Sequence, residues 1–311
     1  MKATQHLAAA MDGFPGWFYA SPTPSDRCML VFLGDDGNDF MDKAVAKWLT
    51  RVHGCNALCV GLRQNVRQQD TGVHDWPLEQ VAAAAHWAKQ KGFAKLGLFG
   101  MSMQACLVLS AACRIPDFSL VIAFAPADFV PWGFVHGKID GNPNGEWPSG
   151  GSTFTWQGQP LPFQPAMQDK EAYWQMFTAD GKRFHEMHSR GVFEYSEQQH
   201  PIDAESFIPV ENIAARLVLV GAEDDSMWDS ARYIRRMEAR MQKAGRTAPL
   251  DVFLYRYGTH LLVPQKLLKS ALPVGGCLIS RMFASGRKHP GDCKQARLDL
   301  EDKLARILAD W

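Results

Sequence analysis

Along most of this chain, short apolar runs alternate with longer stretches whose apolar residues recur at helical spacing. The runs at 29–33, 56–60, 95–99, 120–124, 216–220 and 250–255 read as strands. The segments 40–53, 78–91, 103–113, about 226–244 and about 292–310 read as helices. Such alternation predicts a parallel sheet wrapped by helices, because parallel neighbours need long crossovers. The strands are apolar almost throughout, as in a sheet covered on both faces. No repeat of 20–50 residues is visible, which excludes solenoids and propellers.

The rhythm breaks between about residues 133 and 206, a segment rich in Gly, Pro, Trp, Gln and His. A structureless excursion of that length is unusual in a compact domain. The reading is therefore one domain over 1–311 carrying a lid-like insertion over the carboxyl edge of the sheet. The aromatic residues Trp147, Phe154, Trp156, Phe163, Tyr173, Trp174 and Phe177 are expected to line an apolar pocket beneath it. Trp132, just before the insertion, is a further candidate for substrate binding.

Composition narrows the function. The 33 basic and 33 acidic side chains balance, so no basic nucleic-acid footprint or polybasic membrane patch is expected. No apolar stretch approaches the roughly 18 residues of a membrane span, and residues 7–11 are too short for a secretory core. The seven cysteines lack metal-like spacing and are expected to be free thiols of a cytoplasmic protein. His185, His188 and His200 lack the carboxylates that would make a persuasive metal set.

The sharpest chemical signal is Leu98-Phe99-Gly100-Met101-Ser102-Met103-Gln104, where a strand runs directly into a helix with serine on the turn. A nucleophile elbow has this context. Gly100 leaves room for the turn, and the Met103 N–H opens the helix, where unpaired donors can stabilise an oxyanion. Gln104 stands where the G-x-S-x-G pattern has glycine, and so must find space.

Two later segments complete an order. After the run 216–220 comes Gly221-Ala222-Glu223-Asp224-Asp225-Ser226-Met227-Trp228, and after 250–255 comes Arg256-Tyr257-Gly258-Thr259-His260-Leu261. Ser, then acid, then His, each past a strand end, is the chain order of the α/β-hydrolase triad. Counting from Gly221 points to Asp224 as the acid.

These motifs, with Trp76-Pro77-Leu78-Glu79, Pro126-Ala127-Asp128-Phe129-Val130, the segment Phe154 to Phe163, and Ile208-Pro209-Val210-Glu211-Asn212-Ile213, resemble the C-terminal catalytic domain of the acyl-CoA thioester hydrolase and bile acid-CoA:amino acid N-acyltransferase family. The resemblance covers about 28–311, discontinuously. The family's preceding immunoglobulin-like domain is not expected here, where roughly 25 residues come before the first expected strand. The resemblance implies an α/β-hydrolase fold, Ser102 as nucleophile and His260 as general base. The family's Asp-x-x-Trp spacing, counted back from Trp228, favours Asp225 as the acid. Met103 and Asp35 would supply the oxyanion amides. The family usually has a Gly- and Ser-rich turn where this chain has Asp35-Asp36, two carboxylates that must point away from a developing oxyanion.

The implied reaction is hydrolysis of a small-molecule acyl thioester through an acyl-serine, with no metal or organic cofactor. Serine rather than cysteine at the nucleophile leans towards water as acceptor. Phosphate recognition of coenzyme A would need a basic cluster, for which Arg63, Arg67, Lys182 and Arg183 are the candidates. Two further readings stay open: the same triad acting as an esterase, lactonase, peptidase or acyltransferase, and a non-catalytic hydrolase-fold binding protein.

Overall fold

A computed structural model of the chain describes residues 3–33, 39–62, 74–136, 146–167, 185–271 and 281–311, with 172, 175, 176, 178, 179, 182 and 183 between them. Eight strands among these residues form one sheet. They are β1 (Gln5–Leu7), β2 (Gly16–Tyr19), β3 (Arg27–Phe32), β4 (Asn56–Val60), β5 (Lys95–Met101), β6 (Leu120–Phe124), β7 (Arg216–Ala222) and β8 (Leu250–Tyr255). Their spatial order is β1-β2-β4-β3-β5-β6-β7-β8. From β4 to β8 every neighbour is parallel, while β1–β2 and β2–β4 are antiparallel.

Among the described residues the helices longer than four residues are α1 (Phe40–Val52), α2 (Glu79–Gln90), α3 (Met103–Ala112), α4 (Arg190–Gln199), α5 (Ser230–Lys243), α6 (Gln265–Ala271), α7 (Ala284–Lys288) and α8 (Pro290–Asp310). Strand residues alternate between two apolar layers. Cys28, Leu30 and Phe32 join a core with α2, α3 and α5, whereas Met29 and Val31 join one with α1, α6 and α8. The two layers follow from the period of two along a strand and explain why the strands read as unbroken apolar runs. Helix α3 is buried from Ala105 to Ala112 and apolar all round, as a helix must be when protein surrounds it.

The alternation read from sequence therefore holds, with an added hairpin at the N-terminus and short extra strands at Trp76–Pro77 and within residues 132–160. Residues 5–7 and 16–19 were not expected as strands. They form an antiparallel hairpin whose second strand docks on β4, pairing Trp17 with Cys59. The inserted segment differs in detail from the expected lid. Phe154 is fully buried in the core, and Trp156 and Phe163 pack against it half-buried. These rings thus fill the core instead of the pocket beside Ser102. The side chains of Trp147, Tyr173, Trp174 and Phe177 lie outside the described residues.

Because β3, β5, β6, β7 and β8 are parallel, the loops that follow them share one edge of the sheet. Open α/β sheets bind ligands at this edge.

Candidate active site

Among the described residues, three of these loops carry a residue with a left-handed backbone: Ser102 (φ 60°), Ala125 (φ 44°) and Thr259 (φ 65°). Such conformations cost on the order of 1–3 kcal/mol each and persist only where the surroundings hold them. Here each amide is held by a neighbour. Ser102 N–H donates to the Phe124 carbonyl at 2.9 Å, Ala125 N–H to the Val220 carbonyl at 2.7 Å, and Thr259 N–H to Asp224 Oδ1 at 2.9 Å.

Gly100 makes the elbow possible. A Cβ on it would lie 2.3 Å from the Gln104 carbonyl oxygen and 2.7 Å from its carbon, so the first turn of α3 rests on bare backbone. Ser102 then sits at the helix N-cap with its side chain free of capping bonds, and Met103 N–H is the first amide of the helix, with no intrahelical acceptor. Gln104 needs no space against the strand: its half-buried side chain turns into the pocket beside Ser102.

The ring of His260 lies between serine and carboxylate. Its Nε2 is 2.8 Å from Ser102 Oγ, and its Nδ1 is 2.9 Å from both oxygens of Asp225. His260 and Asp225 are 4% and 1% exposed, so this ion-pair geometry is largely shielded from water. Asp225 Oδ1 also accepts the N–H groups of Met227 and Trp228, at 3.0 and 3.4 Å. The adjacent Asp224 faces the other way. Its Oδ1 accepts both Gly258 and Thr259 N–H at 2.9 Å, which fastens the turn carrying His260. Burial pushes the Asp224 carboxyl above its ordinary value, against the opposing pull of those two amides. The two acids that sequence left as alternatives thus have separate places, one on the imidazole and one on its turn.

Further partners were not visible from spacing. Trp228 Nε1–H donates to the Ala125 carbonyl at 3.0 Å, and the ring stands edge-on to His260 with centroids 5.3 Å apart. Phe193 of α4 meets Trp228 edge-on at 5.1 Å and stacks on Trp132 at 4.6 Å. Trp132 is 1% exposed and does not line the pocket; its place is behind His260, at the far end of this aromatic row. Asp128, fully buried, accepts a two-pronged bond from Arg236 at 2.9 and 2.6 Å and ties α5 to the loop after β6. Burial raises its pKa and the Arg236 bonds oppose that rise. Arg190 of α4 holds the Glu223 and Asp225 carbonyls and pairs with Asp229.

A pocket of about 320 Å³ opens at Ser102, lined mainly by apolar side chains that include Met101, Met187, Met227, Leu261 and Phe283. Asp35 and Asp36 lie outside the described residues, as do Arg63 and Arg67. Lys182 and Arg183 are exposed and do not line the pocket. Among the described residues no three His, Cys, Asp or Glu side chains gather as a metal-binding group. The described cysteines are free thiols, and no helix there is long and apolar enough to cross a membrane.

A serine on a strained strand–helix turn, at the carboxyl edge of this strand order, belongs to an α/β-hydrolase fold. Two solved structures share it across their length. The Pyrococcus furiosus esterase Pf2001 is 12% identical with a TM-score of 0.51, over 100% of this chain and 98% of its own. MGS-M1, an α/β hydrolase enzyme from a Medee basin deep-sea metagenome library, is 12% identical with a TM-score of 0.53, over 100% and 99%. At this identity the likeness concerns the fold alone. No curated protein matches the sequence significantly.

The family is shown by sequence. The model of the BAAT / acyl-CoA thioester hydrolase C-terminal family matches residues 81–266, and the chain belongs to that family. It is a hydrolase of the α/β fold.

Proposed function

We propose that this chain is a serine hydrolase that cleaves a small-molecule acyl thioester through an acyl-serine intermediate, as one domain over 1–311 with an insertion at about 133–206. The observation that carries the reading is the line of hydrogen bonds from Ser102 Oγ through His260 to Asp225, at 2.8 and 2.9 Å. These distances lie within the reach expected of a nucleophile, its base and the group that orients the base.

In the proposed reaction His260 Nε2 takes the Ser102 proton as Oγ attacks the acyl carbonyl. Asp225 keeps the Nδ1–H tautomer and stabilises the imidazolium. Met103 N–H stabilises the tetrahedral oxyanion, a donor of this kind contributing about 3 kcal/mol; Asp35 N–H, the second donor of the proposal, lies outside the described residues. Collapse breaks the C–S bond, His260 returns its proton to the sulfur, and a thiol leaves. Water then attacks the acyl ester, gives its proton to His260, and releases the acid while Ser102 regains its hydrogen. Serine in place of cysteine favours water over an amine as acceptor.

The family supports the thioester, whereas the triad geometry supports any activated acyl compound. The test is turnover of acyl-CoA and of the matched acyl ester by the wild type and Ser102→Ala. The reading expects thioester cleavage that the substitution abolishes. Efficient ester cleavage with no thioester turnover would replace it with an esterase.

A further inference from the structure

Among the described residues that line the pocket beside Ser102, one polar side chain is used by neither the proposed chemistry nor the fold. Ser102 and His260 are bonded to each other. Asp39 also lines the pocket, but its Oδ1 caps α1 by accepting Met41 and Asp42 N–H at 2.8 and 2.9 Å. Gln104 has no such employment. It stands at the second residue of α3 and lines the pocket, and among the described residues its amide makes no hydrogen bond. The G-x-S-x-G pattern has glycine at this position, so the turn itself does not call for glutamine. A carboxamide offers two donors and an accepting oxygen. In a pocket with apolar walls, the few polar groups are the ones that orient a ligand.

We infer that Gln104 is a specificity-determining residue that reads a neutral hydrogen-bonding group, a hydroxyl or keto oxygen, on the acyl chain close to its reacting carbonyl. The inference rests on the serine-hydrolase reading above. The group must be close because Gln104 lies two residues from Ser102 on the same helix start. It must be neutral because the ionisable side chains among the described lining residues are His260 and Asp39, with no Lys or Arg. An acyl carboxylate would meet the Asp39 charge and lose its water without gaining a cation. The methionines of the wall, Met101, Met187 and Met227, adapt to differences of acyl shape.

The test compares kcat/KM for butanoyl, 3-hydroxybutanoyl and succinyl thioesters of N-acetylcysteamine, with the matching phenyl esters in parallel. The proteins are the wild type, Gln104→Leu and Gln104→Met, two apolar side chains of similar size. Labelling of each with a fluorophosphonate reports whether the elbow is intact. The wild type should prefer 3-hydroxybutanoyl over butanoyl by about tenfold, the size of one well-made hydrogen bond, and turn over succinyl least. In the variants the hydroxyl preference should fall towards one. Labelled proteins whose hydroxyl preference is absent in the wild type, or unchanged in both variants, overturn the inference and leave the serine-hydrolase reading standing. A folded wild type that is not labelled overturns both.

Discussion

Gly100→Ala puts the proposed origin of the elbow to a quantitative test. The added Cβ would sit 2.3 Å from the Gln104 carbonyl oxygen and 3.0 Å from Ala105 N, all of it helix backbone. Ordinary contacts between such atoms lie near 3.5 Å, so the first turn of α3 must withdraw by roughly 1 Å. Overpacking of this kind costs about 1–3 kcal/mol. At about 2–4 °C per kcal/mol, the figure for somewhat smaller domains, Tm should fall by at most roughly 2–12 °C. The larger effect is on reactivity. Helix α3 carries Ser102 and the Met103 amide, while His260 hangs from the loop after β8, so the shift moves nucleophile and donor relative to base. A displacement near 1 Å costs about a hundredfold. The assay is the rate of fluorophosphonate labelling, measured with the melting curve on the same sample. A variant that keeps both the wild-type rate and the wild-type Tm refutes the claim that contact with bare backbone at Gly100 sets the position of Ser102. A lower Tm with an unchanged rate refutes the transmission of the shift to the site.

Three other substitutions separate the parts of the site. Asp225→Asn should cut turnover by about 10⁴-fold by presenting His260 with the wrong tautomer, whereas Asp224→Asn keeps an accepting oxygen for Gly258 and Thr259 and should cost under about tenfold; steady-state kinetics on the two variants decide it. Arg236→Ala leaves the Asp128 carboxylate buried and unpaired and should destabilise by about 3 kcal/mol in chemical denaturation, the lower end for a broken buried pair because Arg236 is itself one-third exposed. The raised pKa of Asp224 has a consequence for pH. The unfolded chain gives up this proton at a lower pH than the folded one, so the wild type loses stability as pH rises from the ordinary carboxyl range through the raised value. Asp224→Asn lacks that loss, and its Tm relative to wild type should improve as pH rises above the ordinary carboxyl range; parallel curves would contradict the assignment.

Much of this fold is legible in single runs of sequence. Asn56–Val60 and Leu120–Phe124 begin and end where their apolar runs do, because central strands of a doubly covered sheet have no polar face to blur them. The hairpin at residues 5–7 and 16–19 is not legible. Its strands are three and four residues long, and they exist because Trp17, Phe18 and Tyr19 find β4, a partner distant in sequence. Helix α5 starts at Ser230, later than its apolar spacing suggests, because residues 223–228 wrap around the Asp225 carboxylate and Asp229 caps the helix by accepting Arg232 N–H. Ser102 and His260 are readable as motifs at strand ends. The division of labour between Asp224 and Asp225 depends on which way each side chain leaves the loop, and adjacent residues with the same chemistry leave no trace of that in sequence. The aromatic residues of the insertion were read as pocket lining for a similar reason. Composition reports that rings must be buried, but not whether core or pocket buries them, and here Phe154 and Trp132 go to the core.

The central claim is that Ser102 is an activated nucleophile. The most direct measurement is stoichiometric labelling by a fluorophosphonate, followed by mass spectrometry of the modified peptide, in the wild type, Ser102→Ala and His260→Ala. One label per chain on Ser102, abolished by both substitutions, is the predicted result. A folded wild type that takes no label, or labelling that persists in Ser102→Ala, would contradict it.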